Sequence, residues 1–109
     1  MNKKSTIEIN VELDEENIPE KISWSADHAG IKDQSSKALL LSVWDSSNKE
    51  ALKMDLWTKK MPVDEMKLFF HQTLYSLAET YKIATNDEKM AAAMHDFCDY
   101  FAEKNELID

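Results

Sequence analysis

The spacing of the apolar residues changes once along the chain, between Met61 and Pro62, and this change constrains the fold more than any other feature. Before Pro62, apolar and polar residues alternate in several segments, which is the period of a strand with one buried face. After it, apolar residues recur every three or four positions, as in an amphipathic helix. The pattern predicts an α+β fold: an antiparallel four-stranded sheet of β-β-β-β-α-α order, with two C-terminal helices packed on one face.

Two strands are predicted before residue 27. Apolar residues alternate with polar ones in residues 7–13, and a shorter alternation covers residues 22–26. The following stretch "DHAGIKDQSS", residues 27–36, holds the only glycine of the chain, Gly30. We interpret this stretch as a surface loop without regular structure, in which Gly30 supplies a positive φ angle.

The third and fourth strands are predicted to form a hairpin from "KALLLSVWD" and "EALKMDLWT", joined by residues 46–49. If Asp45 lies opposite Glu50, apolar residues pair on one face, which we expect to be buried. A shift of one residue would turn the apolar set of one strand to the other face, so the register is well specified. The expected pairs are Val43 with Leu52, Leu41 with Met54, and Leu39 with Leu56.

Two helices follow. Pro62 suits a first helical turn, where its missing N–H costs nothing, and Thr85 with Glu88 forms the pattern of a capping box for the second helix. We expect one domain over residues 1–109, with the sheet at 5–59 and the helical pair at 62–105. The first apolar stripe contains Met66, Phe69, Phe70, Thr73, Leu74, Leu77 and Tyr81, and the second contains Met90, Met94, Phe97, Cys98 and Phe101.

Charge and composition exclude several classes of function. A net charge of −8 would repel a phosphate backbone, which argues against nucleic acid as a ligand. A single glycine cannot build the loops that bind nucleotide phosphates. There is no long apolar run and no apolar core of a secretion signal, so we expect a cytoplasmic protein without membrane insertion. The only cysteine, Cys98, fits a reducing compartment as a small buried side chain.

The candidate catalytic and metal-binding residues lie on the two helices. Glu65, His71 and Glu79 do not converge at helical spacing, and a general base needs a partner and a pocket. His95, Asp99 and Cys98 share one region, but a structural zinc site needs a second pair of ligands. We therefore expect no catalytic residue, no metal and no cofactor. A small hydrolase that uses His71 or His95 is the enzymatic alternative.

The second face of the predicted hairpin is not cleanly polar. Leu40, Trp44 and Trp57 lie on it together with small and charged residues, and exposed rings of this kind usually mark an association surface. We predict these three residues as partner-binding residues. The alternative is that residues 27–36, or the neighbours of the first strand, fold over the rings and cover them.

Four segments resemble the gliding-motility-associated protein GldC family of Bacteroidetes-type bacteria: "VELDEENIPEKISWSA", "KALLLSVWD", "LKMDLWTKKMPVDEMKLFFHQTL" and "ATNDEKMAAAMHDFCDYFA". The resemblance extends from about Thr6 to Ala102. It implies a small, cytoplasmic, non-enzymatic accessory protein of the gliding machinery, whose partners belong to the motility apparatus or the associated secretion apparatus. It implies no catalytic or binding residue.

The order of the elements also resembles that of the export chaperone SecB, an acidic protein in which an antiparallel sheet precedes two helices. An oligomeric chaperone that holds unfolded clients is therefore the second functional hypothesis, by analogy of fold. Because a small open sheet has edges that must be paired or covered, we also expect a homodimer or a higher homo-oligomer, formed through the open sheet face or an edge strand.

Overall fold

The alternating N-terminal residues fold into a three-stranded antiparallel sheet. In the computed structural model, which describes residues 2–107, its strands are β1 (Ile7–Leu13), β2 (Pro19–Ala26) and β3 (Ile31–Ser36), in the order β1-β2-β3. Ile22 on the central strand lies opposite Val11 and Ser36 and is fully buried. The first two strands are confirmed, although β2 begins three residues earlier than the pattern indicated.

The interpretation of residues 27–36 as a loop is wrong. A short 3₁₀ helix, Asp27–Ala29, leads through Gly30 into β3. Gly30 has the expected positive φ, 67°. The sequence of β3, "IKDQSS", is almost entirely polar, and its residues are mostly exposed. It pairs with β2 through its backbone, so no apolar alternation marks it as a strand.

The predicted hairpin is present as β4 (Ala38–Asp45) and β5 (Glu50–Trp57), and its register is confirmed. Asp45 pairs with Glu50, Val43 with Leu52, Leu41 with Met54, and Leu39 with Leu56. At the turn, the backbone N–H of Lys49 donates to the carbonyl of Asp45 at 2.8 Å, and the Asp45 carboxylate accepts from the N–H of Ser47. These bonds close the turn without the Asn-Gly sequence of the tightest hairpins.

The prediction of one four-stranded sheet is wrong, because the hairpin forms a separate two-stranded sheet. The described chain has five strands in two sheets, followed by two helices, and it is an α+β fold. Only Lys37 separates β3 from β4. The chain therefore leaves the first sheet and enters the second within one residue.

The junction at Lys37 is held by hydrogen bonds to Thr58, the residue that follows β5. The Lys37 carbonyl accepts from the backbone N–H of Thr58 at 2.9 Å and from its hydroxyl at 2.7 Å. The hydroxyl of Ser36 donates to the carbonyl of Ala38 on the other side of the bend. Thr58 is only 5% exposed, so its hydroxyl is a buried polar group with its donor satisfied.

A second link joins the turn after β1 to the end of the hairpin. One oxygen of the Asp14 carboxylate accepts from the N–H groups of Glu16 at 2.8 Å and Ile18 at 3.0 Å. The other lies 3.0 Å from Nζ of Lys59. The hydrogen bond from Ile18 and, next, the one from Lys59 lower the pKa of Asp14 below its ordinary 3.8.

The helices are α1 (Val63–Thr85) and α2 (Glu88–Lys104). The predicted capping box is wrong, since Thr85 is the last residue of α1 and its hydroxyl donates to the carbonyl of Tyr81. Asn86 turns the chain with a φ of 59°, and Asp87 then caps α2 by accepting from the N–H of Met90 at 3.0 Å. Aspartate is at least as good an N-cap as threonine, which explains the shift.

Small side chains lie between the two helices, where Ala78, Ala91, Cys98 and Ala102 are buried. Ring contacts pair His71 with Phe101 and Tyr75 with His95, so the helices run in opposite directions.

The chain divides into two units between Met61 and Pro62, with all the strands in the first and both helices in the second. The packing of the helices on a sheet face stays a prediction. Among residues 2–107, no helix combines the length and apolarity needed to cross a membrane.

Replacing Thr58 with valine tests the junction. The substitution keeps the side-chain shape but removes the hydroxyl that bonds the Lys37 carbonyl, so we expect the free energy of unfolding of the sheet unit to fall by about 1 kcal/mol. Urea unfolding followed by tryptophan fluorescence measures this, because all three tryptophans lie before Met61. Thr6→Val, at an exposed position, is the control and should change the value by less than about 0.5 kcal/mol. Equal losses in the two variants would contradict the assignment.

Asp14 should give the sheet unit an acid-dependent stability. Because folding lowers the pKa of Asp14, the stabilisation is complete above its ordinary 3.8 and is lost as pH falls through the lowered value. We expect Lys59→Gln to raise the pKa of Asp14, but not to 3.8, since the bond from Ile18 remains. An NMR titration of the carboxyl carbon measures this. Lys60→Gln is the control, and an equal rise there would show that Lys59 acts only through general charge.

Candidate interaction surfaces

The hairpin exposes the apolar residues that its alternation places on one face. We define the hairpin face as Leu41, Val43, Leu52 and Met54, which are 39%, 53%, 51% and 52% exposed. The expectation that this face is buried is therefore wrong for two of the three pairs, and only Leu39 and Leu56 are half-buried. Period-two spacing identifies the apolar side of a strand, but it does not report whether another layer covers that side.

The opposite face carries the three residues predicted to bind a partner. Trp44 is 64% exposed, whereas Leu40 and Trp57 are half-buried. Residues 31–36 pair with β2 in the first sheet and leave Trp44 exposed, so the alternative in which residues 27–36 cover this ring is wrong. Lys53 and Asp55 form an ion pair at 3.0 Å on the same face.

The far end of the hairpin is thus apolar on both sides. Val43 and Leu52 pair on one side, and Trp44 lies beside them on the other. An isolated two-stranded ribbon is marginally stable in water unless a further strand or layer covers it. Large exposed side chains clustered at such a site are the usual mark of a protein-binding surface.

The helical unit has an apolar groove of its own. It has a volume of about 290 Å³ and lies between α1 and α2. Leu77, Met90 and Phe97 on its walls are each about half exposed. The groove is lined by Leu74, Leu77, Met90, Ala93, Met94, Phe97 and Cys98, and so by apolar side chains throughout.

The two helical histidines make contacts within the helix pair and do not line this groove. Nε2 of His95 lies 2.9 Å from a carboxylate oxygen of Glu79, without the alignment of a hydrogen bond. The His95 ring also packs on the ring of Tyr75, with 4.7 Å between the ring centroids. The ring of His71 stacks on that of Phe101, with 6.2 Å between the ring centroids. Histidine, carboxylate and tyrosine here join α1 to α2, and no nucleophile lies among the residues in these contacts. Within residues 2–107, no three acidic, histidine or cysteine side chains cluster closely enough to hold a metal ion.

Cys98 forms part of the groove wall but is a poor nucleophile. Its side chain is 1% exposed. Burial, and after it the charge of Asp99, raises the pKa of the thiol above its ordinary 9.0. A thiol in this state is mostly protonated near neutral pH, and the protonated form does not attack.

One comparison with known proteins gives a result. A family model described as "Gliding motility-associated protein GldC-like" matches residues 19–107 of the 109. No curated protein and no solved structure matches the chain. The matched segment contains β2 to β5 and both helices, and therefore every surface described above.

The reactivity of Cys98 tests the description of the groove wall. In the folded protein at pH 8, we expect iodoacetamide to alkylate Cys98 at least about tenfold more slowly than an exposed cysteine, because the thiol is buried and its pKa is raised. The double variant Cys98→Ala, Ala92→Cys places a thiol at an exposed position of the same helix and is the control. Mass spectrometry follows both reactions, and equal rates would show that the thiol of Cys98 is accessible.

Proposed function

Since the chain belongs to the GldC-like family of gliding motility-associated proteins, we propose that it is a non-enzymatic, cytoplasmic accessory protein of the gliding machinery. It acts by binding another protein of the motility apparatus or of the associated secretion apparatus. The family match supports the process, because it covers residues 19–107. The exposed hairpin supports the mode of action.

The observation that carries this proposal is that the far end of the hairpin exposes large apolar side chains on both faces. A partner that encloses its far end would remove Trp44, Val43 and Leu52 from water together. The ion pair of Lys53 with Asp55 and the carboxylates at the turn would lie at the rim, where charged groups give orientation more than affinity.

The contacts of the histidines and of Cys98 favour binding over catalysis. His71 packs on a ring, His95 lies against Glu79 and Tyr75, and Cys98 is buried with a raised pKa. These are the surroundings of side chains that join two helices, and they do not bring a base, a nucleophile and a cavity together. A single buried cysteine also suits a reducing cytoplasm.

A chaperone that holds unfolded clients, as SecB does, is the second candidate. The observation in its favour is that exposed apolar side chains occur in both units, on the hairpin and along the helical groove. A protein with one partner needs a single such surface, whereas a holding chaperone uses several of low specificity. The discriminating measurement is whether a stoichiometric amount of the protein keeps an unrelated unfolded protein from aggregating. Suppression of aggregation would favour the chaperone.

Capture of partners from a gliding bacterium that encodes the protein tests the first proposal. At low salt, we expect the wild type to recover a defined motility or secretion protein, and Trp44→Ala to recover at least about tenfold less, because a large exposed ring at an interface centre carries much of the binding energy. Quantitative mass spectrometry gives the ratio.

Ile7→Ala is the matched control for this capture. Ile7 is 71% exposed on β1, so the change removes a similarly exposed apolar side chain from the other sheet. It should leave recovery unchanged. Recovery of no such protein, or equal losses in the two variants, would count against binding through the hairpin.

A further inference from the structure

The two helices carry parallel rows of large apolar residues on one side of the helix pair. On α1, Phe70, Leu74 and Leu77 follow the spacing i, i+4, i+7, which places them on one side of the helix. On α2, the row begins at Met90 and continues with the same spacing for one further turn, to Phe101. We define the helix-pair face as these two rows, namely Phe70, Leu74, Leu77, Met90, Met94, Phe97 and Phe101. The apolar groove runs between them.

We propose that the helix-pair face packs against the same face of a second copy of the chain, so that two helix pairs form a four-helix bundle in a homodimer. This inference does not depend on the proposed function, because it concerns a different surface and a different partner. A contact that uses the same patch on both copies closes at two copies, which is the commonest symmetry of soluble oligomers.

The contact between α1 and α2 explains why the helix pair needs a further layer. The fully buried residues of the helix pair are small, namely alanines and Cys98, and ring contacts of His71 with Phe101 and of Tyr75 with His95 also join the helices. Other large side chains lie outside this contact, with Leu77 52%, Met90 50% and Phe97 52% exposed. Two helices form a single layer, and an apolar side of such a layer is stable when another layer covers it. Two helix pairs that face each other give the core of a four-helix bundle.

The area of the face agrees with what a stable dimer needs. At half exposure, each large side chain presents roughly 80–100 Å², since a whole aromatic side chain offers about 150–250 Å². Tyr100, 54% exposed, borders the face. Together, Tyr100 and the exposed and half-buried residues of the helix-pair face offer roughly 450–500 Å² of apolar surface per chain. A standard interface buries about 800 Å² per partner, of which somewhat more than half is apolar.

The distribution of charge permits two copies to meet on this face. Residues 62–109 contain ten acidic and four basic residues, so the helical segment is strongly negative. The acidic residues of α2 lie about 130–170° around the helix from the centre of its apolar row, at 100° per residue. Two copies therefore bury their apolar rows while their carboxylates remain on the outer sides. These carboxylates are Glu88, Asp96, Asp99 and Glu103.

The hairpin face is a weaker candidate for self-association. On the same scale, its four apolar side chains, at 39–53% exposure, offer roughly 320–400 Å², which is less than the helix-pair face offers. The larger helix-pair face is therefore assigned to the second copy, and the hairpin remains for the partner protein.

The molar mass of the full-length protein tests this assignment. Light scattering over about a hundredfold range of concentration should give a dimer for the wild type that dissociates on dilution. Phe97→Glu places two charges in the dimer core, so we expect a monomer at every concentration. Ile83→Glu is the matched control, because Ile83 is 80% exposed on another side of α1. It should leave the dimer intact.

A milder variant covers the case in which Phe97→Glu does not fold, as judged by circular dichroism. Leu77→Asn should then raise the dimer dissociation constant at least about tenfold, because it puts an amide into the apolar core. A wild type that is monomeric at all concentrations would overturn the proposal, and so would a dimer that survives Phe97→Glu but is lost in Val43→Glu. A monomeric wild type would leave capture through Trp44 untouched, so the two proposals can fail separately, whereas a dimer lost in Val43→Glu would count against both.

Discussion

The bend at Lys37 determines the form of the sheet unit. Because a single residue separates β3 from β4, one continuous extended segment belongs to two sheets. The backbone and the hydroxyl of Thr58 both bond the Lys37 carbonyl, which fixes the end of β5 at the place where the chain changes sheets. These bonds hold the hairpin at its base. Its far end, with Val43, Leu52 and Trp44, is left without a covering layer in the sheet unit.

Attachment at one end distinguishes the two ends of the hairpin. Near the bend, Ala38 and Thr58 are buried and Leu39 and Leu56 are half-buried, as in an ordinary core. Towards the turn, the same alternation continues on exposed strands. The chain thus presents side chains of core type at a surface, and in the helical unit the large residues around the groove repeat this arrangement. We propose different partners for the two surfaces, a protein of the gliding apparatus for the hairpin and a second copy of the chain for the helix pair.

The sequence predicts those parts of the fold in which side chains decide the structure. The register of the hairpin follows from its apolar cross-strand pairs, and the change of period locates the start of α1 to within one residue.

The sequence does not predict β3, because its polar residues pair through the backbone and leave no apolar pattern. The capping box failed because Asn86 ends α1 later than the box requires and Asp87 is an equally good cap. The prediction that the hairpin face is buried failed because alternation identifies the apolar side of a strand but not whether another layer covers it. The chemistry of Trp44 predicts a binding residue and its ring is exposed, whereas the groove requires knowledge of how α1 and α2 pack.

The open edges of β4 and β5 expose the chain to unwanted strand addition. Each strand bonds its neighbour on one side only within residues 2–107, and an unpaired edge can template pairing with any extended polypeptide. The ion pair of Lys53 with Asp55 lies in the middle of β5, where it interrupts an otherwise apolar run. Charged side chains on an edge strand disfavour stacking and pairing with further strands, so we expect the pair to make fibril formation less favourable while leaving the turn end of the hairpin accessible.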